Sequence, residues 1–204
     1  MVKKLLFSLL ILFSCTIVAQ TKKTRKMLSE IKEQWTLDDS GNVTYQKILE
    51  LPELSKDIIY PRSLNFFSYN LENEPLSLTE DRELGMLLVK GVFDRVHSTG
   101  VFLDYTHIHC LNLIRIDVKD EKARILVTLS AYEIESGNVG EDDLPLISSS
   151  KVNQEFPINP SGRNKTMMGK AFYKSHMRAI SLMDKISNAL ENGNTSPSLE
   201  DRDW

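Results

Sequence analysis

Cysteine is scarce in this chain, with two residues in 204, and the first of them, Cys15, lies in a leading apolar segment. Once that segment is removed Cys110 stands alone, and one thiol cannot close an intrachain disulfide. Glycine is sparse as well, at nine residues, and neither a phosphate-cradling glycine loop nor a dinucleotide fingerprint occurs. No nucleophile elbow, Cys–His pattern or paired-carboxylate motif is present, so the usual signs of covalent or acid–base hydrolysis are missing. Positive charge does not dominate: the formal net charge is −3, and loss of Lys3 and Lys4 with the leader leaves 23 basic residues against 28 acidic ones, a net of −5. Nucleic-acid binders need the opposite balance.

What is there begins with the leader, MVKKLLFSLLILFSCTIVAQ. A positive start at Lys3 and Lys4, an apolar stretch from Leu5 to Val18 and small Ala19 before Gln20 make the three parts of a secretory signal, cleaved near Ala19 or Gln20. A membrane span needs about 20 apolar residues, whereas this run carries Ser8, Ser14, Cys15 and Thr16. The mature protein is therefore expected to be exported, periplasmic or associated with the outer envelope, with no membrane span. A second reading takes Leu12-Phe13-Ser14-Cys15 as a lipobox, which would anchor the protein by lipid at Cys15. Lys22, Lys23, Arg25 and Lys26 form a solvated basic linker face.

With 41% hydrophobic and 26% charged residues over its full length, this is an ordinary globular chain, long enough to bury about two-thirds of its unfolded surface without disulfide or metal. Met27, Leu28, Ile31 and Trp35 have the spacing of one helical face, so Thr24 to Trp35 reads as a short helix stopped by Asp38-Asp39-Ser40-Gly41-Asn42. Val43 to Leu51 alternates as a strand. Ser55 is placed to cap a helix reaching about Tyr69, with Ile58, Ile59, Leu64, Phe66 and Phe67 on its apolar side and Pro61 within it. Asn70 to Glu83 reads as polar loop. Leu84 to Val96 is a strand in which Gly91 suggests a bulge or a close backbone approach. Ile108 to Val118 and Ala123 to Ala131 alternate across the turn Lys119 to Lys122 and form a hairpin. Gly137 to Ser150 reads as loop and Val152 to Ile158 as an edge strand. Ser161-Gly162 opens a long helix, Asn164 to Leu190, whose stripe of Met168, Phe172, Ala179, Ile180, Met183, Ile186 and Leu190 covers a sheet. Residues from Asn192 onward read as a mobile tail.

Three stretches, GNVTYQKILELPELSKDIIYPRSLNFF, LLVKGVF and LIRIDVKDEKARILVTL, resemble an uncharacterised family of exported Bacteroidota proteins, a domain of unknown function assigned a TBP-like fold. The resemblance spans about Gly41 to Ile134. The family often has Gly after the aspartate of the hairpin turn, where this chain has Glu121. The expected fold is α+β, an antiparallel sheet of four to five strands with helices on one face, in the order β-α-β-β-β-α. The divisions follow: signal 1–20, helical linker 21–40, TBP-like domain 41–160, C-terminal helix 161–191 on the sheet, tail 192–204. Shared shape with half of a TATA-binding protein implies no DNA binding.

Function is less legible. The expected protein is no enzyme, holds no cofactor or metal, and acts as a binding module for an unknown protein, peptide or envelope component, with no binding residue assigned. The alternative is a metal-dependent or hydrolytic enzyme using His107 and His109, which share a strand face and could offer two imidazoles to one ion. A third ligand would come from Asp94, His97 or Asp104. His176, at the edge of the long helix's stripe, reads as structural, and Cys110 as a small buried hydrophobe.

Overall fold

The computed structural model describes residues 22–70, 77–101, 104–138, 144–154 and 165–193. The leader 1–20 with Cys15, residues 155–158 of the last predicted strand, Ser161-Gly162 and the tail from 194 lie outside the described residues.

In chain order the elements are α1 (Lys22–Glu30), β1 (Thr36–Leu37), β2 (Val43–Glu50), α2 (Lys56–Asn70), β3 (Ser77–Asp81), β4 (Met86–Val101), β5 (Asp104–Lys119), β6 (Lys122–Asn138), β7 (Leu146–Lys151) and α3 (Lys165–Asn192). The α+β architecture matches the expectation, with seven antiparallel strands rather than four or five. Three of them dominate: β4, β5 and β6 have 16, 16 and 17 residues, roughly 50 Å each at about 3.3 Å per residue. The sheet order is β1-β2-β6-β5-β4-β3. Because β5 occupies one side of β6 along its whole length, β2 and β7 lie end to end on the other, opposite residues 122–129 and 131–136.

The extra strands are the ones that periodicity could not reveal. Segments read as loop contain β3 (SLTED) and β7 (LISSSK), and the strand expected from Val152 is instead a 3₁₀ turn at Val152–Gln154. Both strands pair along a sheet margin and are exposed nearly throughout, so neither carries the apolar alternation that burial imposes. Gly91 does not form the bulge of β4, which falls between Phe93 and His97. It faces Asn112 instead, where an added Cβ would sit 3.0 Å from the Asn112 amide oxygen. In β6 an irregularity at Ser130 shifts the alternation, so Tyr132 rather than Ala131 enters the core.

The helices gather on one face. Along β5 that face is Ile108, Cys110, Asn112, Ile114, Ile116 and Val118, all buried. Five of these six are apolar, so their burial supplies much of the core's hydrophobic stabilisation, at about 25 cal/mol per Å². In α3, Met168, Phe172, Ala179, Met183, Ile186 and Leu190 are buried as the spacing predicts, with Ile180 half-buried. His176 stands inside that stripe rather than at its edge, 1% exposed, with its Nδ1 3.1 Å from the Tyr45 hydroxyl. Burial raises the Tyr45 phenol and lowers His176. In α2 the Ser55 carbonyl accepts the first amides, from Ile58 and Ile59, while Ile58 itself turns to solvent because Ile59, Tyr60, Phe66 and Phe67 form the buried side. Pro61 removes the donor to Asp57, an exposed residue whose carbonyl water can satisfy. Arg62 donates to the carbonyls of Leu190 and Glu191, 2.9 Å each, and so closes the C-terminus of α3 with a cation.

The β5–β6 turn is tighter than four residues, since Lys119 and Lys122 are paired. Glu121 occupies the left-handed position, φ 58°, that glycine would take without strain. It is held there by bonds to the β2–α2 connection, Leu51 N–H to Glu121 O and Glu121 N–H to Leu54 O, both 2.8 Å. Glu121→Gly should therefore raise stability by about 0.5–1 kcal/mol, the left-handed penalty less the extra chain entropy of glycine, measured as a higher urea midpoint at unchanged slope.

Two histidines give a pH signature. Burial lowers His176, and burial, then Lys174 and Lys170, lowers His97. A depressed folded value means that, below the ordinary 6.5, the unfolded chain takes up protons that the folded rings refuse. Stability is thus intact above that pH and declines as pH falls below it. Urea midpoints across that range should drop, and drop less in His176→Gln.

Candidate functional site

The second face of the sheet is bare of helices among the described residues. Its residues follow from the registers: Met86, Leu88, Lys90 and Val92 from β4; Leu111, Leu113, Arg115 and Asp117 from β5; Arg124, Leu126, Thr128 and Ala131 from β6. Leu88, Val92, Leu111, Leu113 and Leu126 are half-buried and belong to no part of the main core. They form a separate apolar band. Toward the β5–β6 turn the band gives way to an ion cluster, in which Asp117 accepts from Arg115 Nε at 2.8 Å and Arg124 Nη2 at 2.6 Å.

At the opposite end the same face becomes a polar row, and the two sequence-predicted histidines are in it. The bulge in β4 places Asp94 against His109, with Asp94 Oδ1 2.6 Å from Nδ1. The other ring nitrogen, Nε2, lies 3.4 Å from Glu135 Oε2. The Arg95 amide, 3.4 Å from Nδ1, is the more distant contact. Tyr105 donates its hydroxyl to Glu135 at 3.3 Å and stacks on His107 with ring centroids 5.0 Å apart. Partial desolvation, then the Glu135 charge, raises the Tyr105 phenol. Gly137 opposite makes room for it, since a Cβ there would meet the Tyr105 hydroxyl at 2.8 Å. His107 pairs through Nδ1 with the Ser98 hydroxyl, 2.9 Å.

The bulge that builds this row is itself held from the helix side. Arg95 lies at φ 45°, a left-handed conformation that a non-glycine residue adopts only when its surroundings enforce it. Part of that enforcement is visible: Arg178 of α3 donates to the Asp94 carbonyl at the sheet margin, where β4 extends beyond β3.

Of the third-ligand candidates, the structure brings only Asp94 to the histidines. His97 is on the helix-covered face beside Lys170 and Lys174, and Asp104 alternates with His107 and His109 onto the other side. Among the described residues no group of three or more His, Cys, Asp or Glu is arranged to hold a metal ion. No hydroxyl or thiol among them is hydrogen-bonded to His109. Cys110 is buried on the opposite face, its thiol pushed up to about 12 by burial. Tyr105, Ser98, Arg178, Glu135 and Glu133, the cross-strand partner of His109, belong to no sequence motif. The glutamates were legible in principle, because two acids two apart on β6 repeat the spacing of the two histidines on β5.

An open antiparallel sheet with its helices on one side defines the class, a TBP-like α+β protein. Residues 45–133 match the family model for a domain of unknown function (DUF4468) with TBP-like fold, the kind of family the sequence resembles. Solved structures agree at the level of the fold. A TBP-like protein from Parabacteroides distasonis is 16% identical with a TM-score of 0.53, over 78% of this chain and 98% of that one. A DUF4468 family protein from Bacteroides ovatus is 17% identical with a TM-score of 0.55, over 81% and 95%. No curated protein matches the chain. No described helix is long and apolar enough to cross a membrane.

The geometry predicts the outcome of a metal test. Both nitrogens of His109 and the Nδ1 of His107 already face protein partners. Purified protein should therefore carry no stoichiometric transition metal in elemental analysis, and chelator should leave its thermal midpoint unchanged. A bound ion, or a midpoint lowered by chelator, would restore the enzyme alternative.

Proposed function

We propose that this protein is an exported cell-envelope component that works as a non-catalytic binding module, taking a protein, peptide or surface component on its open sheet face. The observation that carries this reading is the apolar band of Leu88, Val92, Leu111, Leu113 and Leu126 on the side that no helix covers among the described residues. Helices and sheet have already built one complete core, so a second set of half-buried leucines contributes nothing to it. An apolar patch rimmed by polar side chains is the usual form of an interaction site. The polar row at one end supplies donors and acceptors that give direction to such contacts. Export rests on the leader, with its Lys3-Lys4 start and small Ala19 at the cut.

Both halves of the proposal can be checked. Intact mass of the mature protein should begin after Ala19 or Gln20; acylation at Cys15 would make it a lipid-anchored form, and an uncut cytoplasmic chain would sink the export. A photo-crosslinking residue at Leu113 should give adducts in cells, cut about tenfold by His109→Ala or Arg115→Ala. If Leu113 crosslinks no more than Lys185, on the outer side of α3, the open face is not the working surface.

A further inference from the structure

The geometry points to a second copy of this chain as the occupant of the open face, packed sheet to sheet with its strands reversed about a two-fold axis. The inference rests on the reading of that face as the binding surface and names its partner.

Size comes first. The strands β2, β6, β5 and β4 at about 4.8 Å spacing, over strands of roughly 50 Å, offer on the order of 800–1,000 Å². A stable interface needs about 800 Å² from each partner. Two twisted sheets packing face to face at about −30° is a standard arrangement.

Complementarity then fixes the orientation. The face is apolar in the middle and oppositely charged at its ends. By register, the turn end carries Arg115, Lys119, Lys122 and Arg124 against Glu50, Asp81 and Asp117, an excess of one positive charge, while Lys90 lies level with Leu113 at the margin of the middle. The far end carries Asp94, Glu133 and Glu135 against Arg95, an excess of two negative charges with histidine counted neutral, while Lys151 lies level with Leu111 at the other margin of the middle. Stacking two copies in the same direction sets like ends together. Reversal about an axis between Leu111 and Leu113 sets leucine on leucine at the centre. It also brings Arg115 over the His109 row, Asp117 over His107 and Arg124 over Glu135. A two-fold interface of this kind is self-complementary and closed.

Sedimentation equilibrium of the mature protein should show a monomer–dimer equilibrium, with Leu113→Glu raising Kd about 100-fold or more, since the residue is counted twice at the axis. Arg124→Glu and Glu135→Arg should each raise Kd about tenfold, and the double variant Arg124→Glu/Glu135→Arg should recover it. Residues 124 and 135 are about 35 Å apart along one strand, so rescue can arise only between copies. Circular dichroism and urea midpoints report whether each variant is folded, and the double variant keeps the test decisive if a single one is not. A monomer at every concentration, including one whose face is covered by another segment of the same chain, overturns the inference, as does a dimer indifferent to Leu113→Glu or a double variant no better than the singles. If the monomer's Leu113 still forms adducts with other envelope species in cells, only this inference falls and the binding-module reading stands; if those adducts are missing too, both fall.

Discussion

The pairing of β5 with β6, continuous from Lys119↔Lys122 to Asp104↔Asn138 apart from one irregularity at Ser130, is the constraint on which the remaining architecture depends. Side chains on a strand alternate, so this one register decides which residues meet the helices and which meet solvent. A slip of β6 by one position would turn Ile125 and Val127 outward and bring Arg124 into the core, and a slip of β5 would do the same with Ile114 and Ile116 against Arg115 and Asp117. Packing of α3 would not offset the several kcal/mol that desolvating each such ion costs. The tight turn at Asp120-Glu121, bonded to the β2–α2 connection, pins the ladder at one end.

This dependence also explains what was legible beforehand. Burial writes itself into sequence as periodicity, and wherever the helices press on the sheet the pattern was plain: the hairpin, the stripe on α3, the buried side of β2. Periodicity fell silent where burial was absent, at β3 and β7, and where a local irregularity changed the count, at Ser130 and the β4 bulge. The candidate site lies in that second category. Two histidines on one strand face could be read directly, but the bulge that delivers Asp94 and the cross-strand position of Glu135 are properties of pairing. Glu121 is a milder case: it adopts a left-handed backbone that suits glycine, with the surrounding bonds holding it in place.

The face that no described helix covers has two chemical characters in one surface. Its centre is aliphatic, and its ends carry hydrogen-bonded ion clusters in which most charges are already partnered within the chain. Partnered ions keep a flat surface soluble while leaving it ordered, so little side-chain entropy is lost when something docks on it. A Ser–His contact and an Asp–His contact are both present, yet on different histidines, and neither assembles a nucleophile with an oriented base.

Arg178 lends the molecule a further property. Its guanidinium originates on the concealed side of the sheet and grips the carbonyl of the very residue that touches His109 on the other. The two sides are therefore mechanically linked around the margin of β4, without any channel through the core. Small changes in the seating of the terminal helix, such as those caused by repacking beneath Met183 or Phe172, would travel to the imidazole row as displacement of a single loop of backbone, and surface chemistry would vary with interior volume.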